Sequence, residues 1–273
     1  MTEKYISIRN KKIHYKVAGE GMPVVLIHGF AEDSDVWRYQ QDALLKKCLL
    51  IIPDLPGSGK SDMIEDMRME GLADAVKQIL DQEFAEQKEL NVTGAIMIGH
   101  SMGGYITLAF AEQYPDMLKA IGLFHSTAFA DSEDKKATRR RGITFIQTNG
   151  SYEFIKQSTP NLFTENYRIK NNMILAEMIA RYSSFDPLAL TAYYEAMILR
   201  PDRTAVLQFI NKPVLFIIGK KDKAISFEDS MKQCHLPDMA SVQILENAAH
   251  MGMWEAQEKS TQILLSFLQD AIV

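Results

Sequence analysis

The pattern Gly-x-Ser-x-Gly at residues 99–103 constrains this 273-residue chain more than any other feature of its sequence. An apolar run leads into the pattern through Ile98, and a helix-like segment follows it from Ile106. Because a chain that turns this sharply from strand to helix has no space for a Cβ atom on either side of the turn, the flanking positions require glycine. The pattern predicts that Ser101 stands clear of the sheet at a helix N-terminus, where unpaired N–H groups favour negative charge.

Apolar runs alternate with helix-like segments along most of the chain, which is typical of a parallel sheet that is covered on both faces. Such strands are predicted at residues 23–27, 48–52, 94–98, 120–124, 213–219 and 241–245. Residues 5–8 and 13–17 instead alternate apolar with polar side chains and predict an antiparallel hairpin at the sheet edge. A helix capped by Ser34 or Asp35 is expected to continue through Leu45. The predicted fold class is α/β, with a mostly parallel central sheet flanked by helices.

Residues 128–208 interrupt this alternation, because they contain no apolar strand-like run. They consist of polar helix-like segments that carry Phe, Tyr and Met on one stripe and are broken by glycine and proline. We therefore expect a core formed by residues 1–127 and 209–273, and a helical cap inserted at residues 128–208.

The cap sequence contains a basic cluster that is open to two interpretations. Its members are Lys135, Lys136, Arg139, Arg140 and Arg141. They could form a patch for a phosphate or an acidic substrate, but the acidic residues beside them favour a solvated helix face. A charged substrate would also be accommodated if Arg181 or Arg200 turned inward, although arginine more often faces solvent.

The composition excludes several classes of partner. A net charge of −5 without long acidic blocks gives no reason to expect nucleic acid as a partner. Cys48 and Cys234 lie far apart without metal-ligand spacing, so buried free thiols in a reducing cytoplasm are expected. The charged N-terminal residues 1–12 and the lack of a long apolar run predict a cytoplasmic protein that does not enter a membrane.

Two further motifs bear on cofactors. Gly59-Lys60-Ser61 is the tail of a phosphate-binding loop, but Asp54 stands where the leading glycine should be, so a connecting turn is favoured. The sequence shows neither a dinucleotide fingerprint nor a zinc motif. We therefore expect chemistry that needs no cofactor and no metal.

Several polar residues follow predicted parallel strands, whose carboxyl ends meet at one edge of the sheet. A serine nucleophile needs a base, and a histidine base needs an acid that fixes its tautomer. Ser101, Asp222 and His250 supply these parts in that order along the chain. Asp131 is the alternative acid, but it follows a different strand among other acidic residues, and Asp222 is favoured.

The successive landmarks of the chain resemble those of the α/β-hydrolase fold family. The matching segments are His28-Gly29-Phe30, residues 54–61, Gly99 to Gly104, Gly219 to Asp222, and Ala249-His250. The similarity is greatest to the branch of small esterases, enol-lactonases and cofactor-free haloperoxidases or perhydrolases, whose inserted helices cap the site. This resemblance implies the α/β-hydrolase fold and an oxyanion hole formed by the backbone N–H groups of Phe30 and Met102. It leaves His28 a supporting, hydrogen-bonding role.

These features favour serine-dependent hydrolysis of a small or medium carboxylic ester or lactone through an acyl-enzyme. The same residues could serve perhydrolysis or the cleavage of a carbon–carbon bond next to a ketone. A slow-turnover ligand receptor or signalling protein on the same fold is the alternative from another class. His125, Phe129 and Met251 are predicted to line a closed, mostly apolar substrate pocket that prefers short or medium acyl groups. The sequence leaves the oligomeric state open.

Overall fold

Eight strands form one sheet within residues 1–86 and 93–272, the part of the chain that the computed structural model describes. They are β1 (Thr2–Ile8), β2 (Lys11–Ala18), β3 (Pro23–Ile27), β4 (Leu49–Pro53), β5 (Ala95–His100), β6 (Leu118–Phe124), β7 (Val214–Gly219) and β8 (Ala240–Leu245). Their order across the sheet is β1-β2-β4-β3-β5-β6-β7-β8. Strands β3 to β8 run parallel, whereas β2 is antiparallel to both of its neighbours. The predicted α/β fold class and the N-terminal hairpin are confirmed.

The central strands are buried on both faces, which explains their uninterrupted apolar sequences. Every residue of β3, β4, β5 and β7 is buried. Successive side chains point to opposite faces, so Val25 packs in one core cluster with Leu72 and Ile106, while Val24 packs in the other with Leu264. Two apolar layers therefore hold the sheet between its helices and fix the strand ends that carry the polar residues.

Eleven α-helices accompany the sheet within the described residues. They are α1 (Gln41–Leu44), α2 (Met69–Glu86), α3 (Met102–Gln113), α4 (Glu133–Ser158), α5 (Glu165–Lys170), α6 (Asn172–Tyr182), α7 (Pro187–Leu199), α8 (Thr204–Phe209), α9 (Phe227–Gln233), α10 (Gly252–Glu255) and α11 (Gln257–Ile272). None of the described helices is long and apolar enough to cross a membrane.

The helix expected from Ser34 through Leu45 is wrong in its extent. A short 3₁₀ turn covers Ser34–Trp37, and α1 is a separate single turn. Asp33 caps the 3₁₀ turn, because its carboxylate accepts the N–H of Asp35. Between the two turns, the buried Gln40 amide donates to the carbonyl of Met253, 2.9 Å away. This contact with a distant segment overrides the local helix propensity.

The chain from β6 to β7 contains helices and turns but no strand among its described residues. Helices α4 to α7 lie within residues 128–208, the segment predicted as an insertion, and α8 extends one residue beyond it. Gly150 bends α4 sharply, because its φ of 81° is outside the helical range and is readily adopted only by glycine. Side chains of α4, α6 and α7 face the carboxyl ends of the sheet strands and enclose a cavity there.

Candidate active site

Ser101 occupies a strained turn between β5 and α3. Its φ of 51° is unusual for a residue with a side chain. A Cβ atom on Gly99 would lie 2.2 Å from the carbonyl of Gly103, and one on Gly103 would lie 2.5 Å from the oxygen of Ile27. Both glycines are therefore required by main-chain contacts. The turn is held from the neighbouring strand, because the Ser101 N–H donates to the carbonyl of Phe124 at 2.9 Å.

Ser101, His250 and Asp222 lie in one hydrogen-bonded line at the carboxyl edge of the sheet. The Ser101 Oγ is 2.9 Å from His250 Nε2, and His250 Nδ1 is 2.7 Å from Asp222 Oδ2. The second carboxylate oxygen, Oδ1, accepts the N–H groups of Ala224 and Ile225 at 2.7 and 3.1 Å. These two bonds orient the carboxylate, so that Oδ2 faces the imidazole.

The Asp222 carboxylate is ionised although it is buried. Burial opposes its ionisation, but the facing His250, the nearby His125 and the N–H of Ile225 outweigh burial and lower the pKa of Asp222 to about 2. An ionised acceptor at Nδ1 assigns the imidazole proton to that nitrogen. The lone pair of Nε2 then faces the Ser101 hydroxyl, which is the arrangement that a general base requires.

His125 lies behind Asp222, so its predicted place in the pocket is wrong. The N–H of Gly219 donates to His125 Nδ1 at 2.9 Å, which leaves the ring proton on Nε2. Burial lowers the pKa of His125 to about 3. The neutral ring is closely surrounded, because a Cβ on Gly219 or Gly252 would lie 2.6 or 2.4 Å from it. His125 therefore supports the Asp222 loop from inside the protein.

Glu32 and His100 form a buried pair that sequence reasoning did not find. Glu32 Oε2 lies 3.0 Å from His100 Nδ1 and also accepts the N–H of Gly29 at 2.6 Å. His100 Nε2 donates to the carbonyl of His250 at 3.0 Å. Burial opposes both charges, but mutual attraction outweighs it, lowering the pKa of Glu32 and raising that of His100. The pair joins the loop after β3 to the loop that carries His250.

The two backbone N–H groups predicted to form the oxyanion hole belong to Phe30, in the loop after β3, and to Met102, the residue that follows Ser101. Met102 is the first residue of α3, so its N–H has no acceptor within the helix. The loop after β3 comes close to the serine, since a Cβ on Gly29 would lie 3.2 Å from the Ser101 Cβ. No hydrogen bond joins the Phe30 N–H to another residue in the described part of the chain. The supporting His28 donates to the Gly29 carbonyl.

A cavity of about 380 Å³ lies above Ser101 and His250. Of the residues predicted to line the substrate pocket, Met251 lies in the wall of this cavity, whereas the half-buried Phe129 does not. The carbonyl of Phe129 instead accepts a hydrogen bond from Arg200, in the segment that leads away from the cavity. The apolar part of the wall includes Phe30, Tyr105, Phe154, Leu162, Met178, Tyr194, Met197, Ile225 and Met251.

A second, larger cleft of about 840 Å³ opens beside strand β2. Its wall is largely charged and includes His14 and Asp54, whose Nδ1 and Oδ2 atoms are 2.8 Å apart. Neither Ser101 nor His250 lines this cleft, so its size does not make it the site of the serine chemistry. Across residues 1–86 and 93–272, no group of three or more His, Cys, Asp or Glu side chains is arranged to hold a metal ion.

Asp131, the alternative acid, lies apart from His250 and pairs with two arginines. Its carboxylate is 2.5 Å from Arg139 Nε and 2.9 Å from Arg200 Nη1. Asp131 is buried, unlike the solvated acidic residues that follow it in the sequence. Arg200 is also buried, with its guanidinium 3.8 Å from the Tyr105 ring centroid. Arg181 pairs with Asp33 outside the cavity.

The basic cluster of the cap divides between two environments. Lys135 and Arg139 line the cavity, whereas Lys136, Arg140 and Arg141 do not. The cluster as a whole is therefore not the solvated face that its acidic neighbours suggested. The two residues that face the cavity are four positions apart, which places them on the same side of α4.

A comparison with families of known proteins agrees with this fold and this arrangement of side chains. The sequence profile of the alpha/beta hydrolase fold matches residues 22–257. The chain belongs to this family. The resemblance drawn from the sequence landmarks is confirmed, and membership of this family supports a hydrolase activity for the chain.

Curated relatives cover most of this α/β hydrolase chain at low identity. The (E)-2-((N-methylformamido)methylene)succinate hydrolase of Acinetobacter baylyi is 24% identical over 95% of this chain and 95% of its own length. The 2-hydroxy-6-oxo-6-phenylhexa-2,4-dienoate hydrolase of Comamonas testosteroni is 25% identical, with coverages of 98% and 96%. This chain spans only 66% of a third relative, the dihydrolipoyllysine-residue acetyltransferase component of the acetoin cleaving system of Pseudomonas putida, at 26% identity over 93% of this chain.

Solved structures of α/β hydrolases superpose on nearly the whole chain. A thermophilic esterase from Thermogutta terrifontis has a TM-score of 0.90 and 26% identity, covering 99% of both chains. An enol-lactonase from Burkholderia xenovorans LB400 has a TM-score of 0.87 at 23% identity, with coverages of 97% and 100%. A bromoperoxidase from Bacillus anthracis has a TM-score of 0.86 at 21% identity, with coverages of 98% and 100%. The last two similarities show the fold alone.

Proposed function

We propose that this α/β hydrolase cleaves a small or medium carboxylic ester or lactone through an acyl-enzyme. Ser101 acts as the nucleophile, His250 as the base and Asp222 as the acid that orients it. The hydrogen-bonded line from Ser101 to Asp222 at the floor of the cavity is the observation that carries the proposal. Residues 1–127 and 209–273 serve as the core in this proposal, and residues 128–208 as the cap.

Acylation begins with the transfer of the Ser101 hydroxyl proton to His250 Nε2 as Oγ attacks the carbonyl carbon. The ionised Asp222 stabilises the imidazolium that forms. The N–H groups of Phe30 and Met102 donate to the carbonyl oxygen as it becomes negative, and each such donor contributes ~3 kcal/mol in enzymes of this type. The tetrahedral intermediate then expels the alcohol oxygen, which takes the proton from His250.

Deacylation repeats these steps with water. His250 removes a proton from the water as its oxygen attacks the acyl carbon, and the same N–H groups stabilise the second oxyanion. When this intermediate breaks down, the Ser101 oxygen leaves and recovers its proton from His250. The net reaction consumes one ester and one water and releases one acid and one alcohol, so no cofactor enters the balance.

The cavity supports a compact substrate. Its volume of about 380 Å³ lies at the lower end of ligand pockets, and aromatic and methionine side chains from the cap enclose it. Phe30 stacks on Tyr194 with ring centroids 4.3 Å apart, and both rings line the cavity together with Ser101. Short or medium acyl groups and small lactones fit these dimensions better than long lipid chains.

The test compares the wild type with Ser101→Ala on 4-nitrophenyl butyrate and with a fluorophosphonate probe. Removing the nucleophile of such a triad lowers turnover by about 10³-fold or more. The probe should modify Ser101, as identified by mass spectrometry, and Ser184→Ala, an exposed control, should keep both labelling and activity. Unchanged turnover in Ser101→Ala would refute the assignment. Labelling followed by a single turnover would favour the receptor alternative.

Cleavage of a carbon–carbon bond is the second candidate. It is favoured by the similarity to the 2-hydroxy-6-oxo-6-phenylhexa-2,4-dienoate hydrolase, which covers 98% of this chain. The same serine, base and N–H donors can serve it. A purified sample given that dienoate and 4-nitrophenyl butyrate in parallel distinguishes the two reactions, because the larger kcat/KM identifies the preferred bond. Perhydrolysis is tested by adding hydrogen peroxide and acetate and measuring peracetic acid.

A further inference from the structure

The wall of the active-site cavity carries three cationic side chains: Lys135, Arg139 and Lys223. We call them the cationic wall. Glu32 is the only carboxylate among the described residues that line the cavity, and its charge is already compensated by the buried His100. The positive charges of the wall therefore face a cavity in which no carboxylate remains to balance them.

Arg139 is only partly neutralised by its own partner. Asp131 carries a single negative charge but pairs with both Arg139 and Arg200, so the group of three retains one positive charge. Arg139 reaches Asp131 through Nε and Nη2, and its Nη1 donates to no acceptor in the described part of the chain. Donor capacity is thus available at the cavity wall.

The aromatic contacts of Arg139 bring it close to the reacting groups. Its guanidinium carbon lies 5.7 Å from the centroid of Tyr194, and the Tyr194 ring stacks on Phe30. Phe30 supplies one of the proposed oxyanion donors. The Tyr194 ring therefore lies between the Arg139 charge and the Phe30 ring, and Arg139 lines the same cavity as Ser101.

The two lysines lie beside the loop that holds Asp222. Lys135 Nζ donates to the carbonyl of Ala224 at 2.8 Å, and Lys223 forms no ion pair within the described residues. Lys135 lies in the first turns of α4, where the helix dipole disfavours a cation. The hydrogen bond to Ala224 therefore holds the Lys135 ammonium group beside the cavity despite the helix dipole.

We infer that the preferred substrate is an ester or lactone that also carries a carboxylate, which the cationic wall binds. The inference rests on the proposed function for the bond that is cleaved. A carboxylate accepts charge-assisted hydrogen bonds from guanidinium and ammonium groups, and these are stronger in a partly buried cavity than in water. A neutral ester of the same shape would leave the net positive charge of the wall unbalanced.

The test uses pairs of substrates in which an isopropyl group replaces the carboxylate at nearly equal size. 4-Nitrophenyl hydrogen adipate and 4-nitrophenyl 6-methylheptanoate place the charge on the acyl side. 4-Acetoxybenzoate and 4-isopropylphenyl acetate place it on the alcohol side. The wild type should prefer the carboxylate in at least one pair by about tenfold in kcat/KM, as expected for a hydrogen bond to a charged group.

Neighbouring residues on α4 provide matched controls. Arg139→Gln and Lys135→Gln should each reduce the ratio of kcat/KM for the carboxylate ester to kcat/KM for its neutral partner by about tenfold. Arg140→Gln and Lys136→Gln remove the same charges from outside the cavity and should leave the preference unchanged. Equal losses in the target and control variants would overturn the inference, because they would indicate a general effect of net charge.

Further measurements separate failure of the inference from failure of the proposed function. Rapid Ser101-dependent hydrolysis of neutral esters without any preference for the carboxylate overturns the inference alone. If the wild type hydrolyses no ester, the proposed function fails, and calorimetric titration of Ser101→Ala with adipate tests the wall directly. The Lys223 side chain is exposed, so Lys223→Gln can be added to Ser101→Ala. Adipate should bind this double variant more weakly than Ser101→Ala alone, and equal binding would overturn the inference. This variant also serves if Arg139→Gln does not fold.

Discussion

Replacing Glu32 by glutamine tests whether the buried pair with His100 holds the active site together. The Glu32 side chain accepts hydrogen bonds from Gly29 and His100, and His100 in turn donates to the carbonyl of His250. Glutamine has the same shape and keeps one oxygen acceptor, but it removes the negative charge. The substitution therefore leaves a buried imidazolium without its counterion.

The expected loss of stability follows from the burial of both partners. Glu32 is 4% exposed and His100 is fully buried, so solvent does not screen the pair. Breaking one side of a buried pair costs about 3–5 kcal/mol, and the hydrogen bonds that glutamine retains place Glu32→Gln near the lower limit. For a chain of this size a loss of that order lowers Tm by about 5–10 °C.

The loss should depend on pH in a defined way. Glu32 has a lowered pKa in the folded protein, so its contribution is complete above its ordinary value of 4.5 and disappears as pH falls. His100 has a raised pKa, so its contribution is complete below its ordinary value of 6.5 and disappears as pH rises through the folded value. The difference between wild type and Glu32→Gln should therefore be largest between pH 4.5 and 6.5.

Urea denaturation of both proteins at several pH values, followed by circular dichroism, gives this difference directly. Glu86→Gln is the control, because the half-exposed Glu86 pairs with Lys4 at the surface. The control should change the free energy of unfolding very little, since the median contribution of an exposed ion pair is about 0–1 kcal/mol. A Glu32→Gln difference below about 1 kcal/mol, or one that is constant from pH 4 to 9, would refute an ionised buried pair.

Three further outcomes are expected. Asp222→Asn should lower kcat about 10⁴-fold by presenting the wrong histidine tautomer, whereas Asp131→Asn should retain kcat but lower the urea midpoint, because it leaves two arginines without a carboxylate. Gly103→Ala should give little soluble, active protein, since its Cβ would lie 2.5 Å from a main-chain oxygen at the end of β3. Cys48 and Cys234, whose pKa values burial raises to about 12 and 11, should react with a thiol reagent only after unfolding.

The sheet was predictable because its stabilising interactions leave a local pattern. A strand that is buried on both faces requires an uninterrupted apolar run, and β3, β5 and β7 each show one. The division of residues 34–45 into two short turns was not predictable in this way. It depends on the bond between Gln40 and Met253, which are separated by 213 positions in the chain.

The same distinction applies to the candidate site. The position of Ser101 could be predicted because the tight turn requires glycine two residues to each side. The whole pattern therefore lies within five consecutive residues. Glu32 and His100 form their pair across 68 positions, and neither has a neighbour that indicates it. The place of His125 also depends on side-chain direction after a strand end, which the sequence does not encode locally.

Helical periodicity divides the basic cluster of α4 into two rows, but only the neighbouring elements determine which row faces the cavity. In a helix, successive residues are about 100° apart, so Lys135 and Arg139 share one row, and Lys136 and Arg140 share the next. The sequence therefore predicts two rows, but not which row faces the cavity. The structure directs the first row to the cavity wall, while Lys136 pairs with Glu133 at the surface. If all the basic residues of the cluster faced solvent, neutralising either row would have the same effect on the preference for a carboxylate substrate. The two rows of α4 predict different kinetics for substitutions one residue apart.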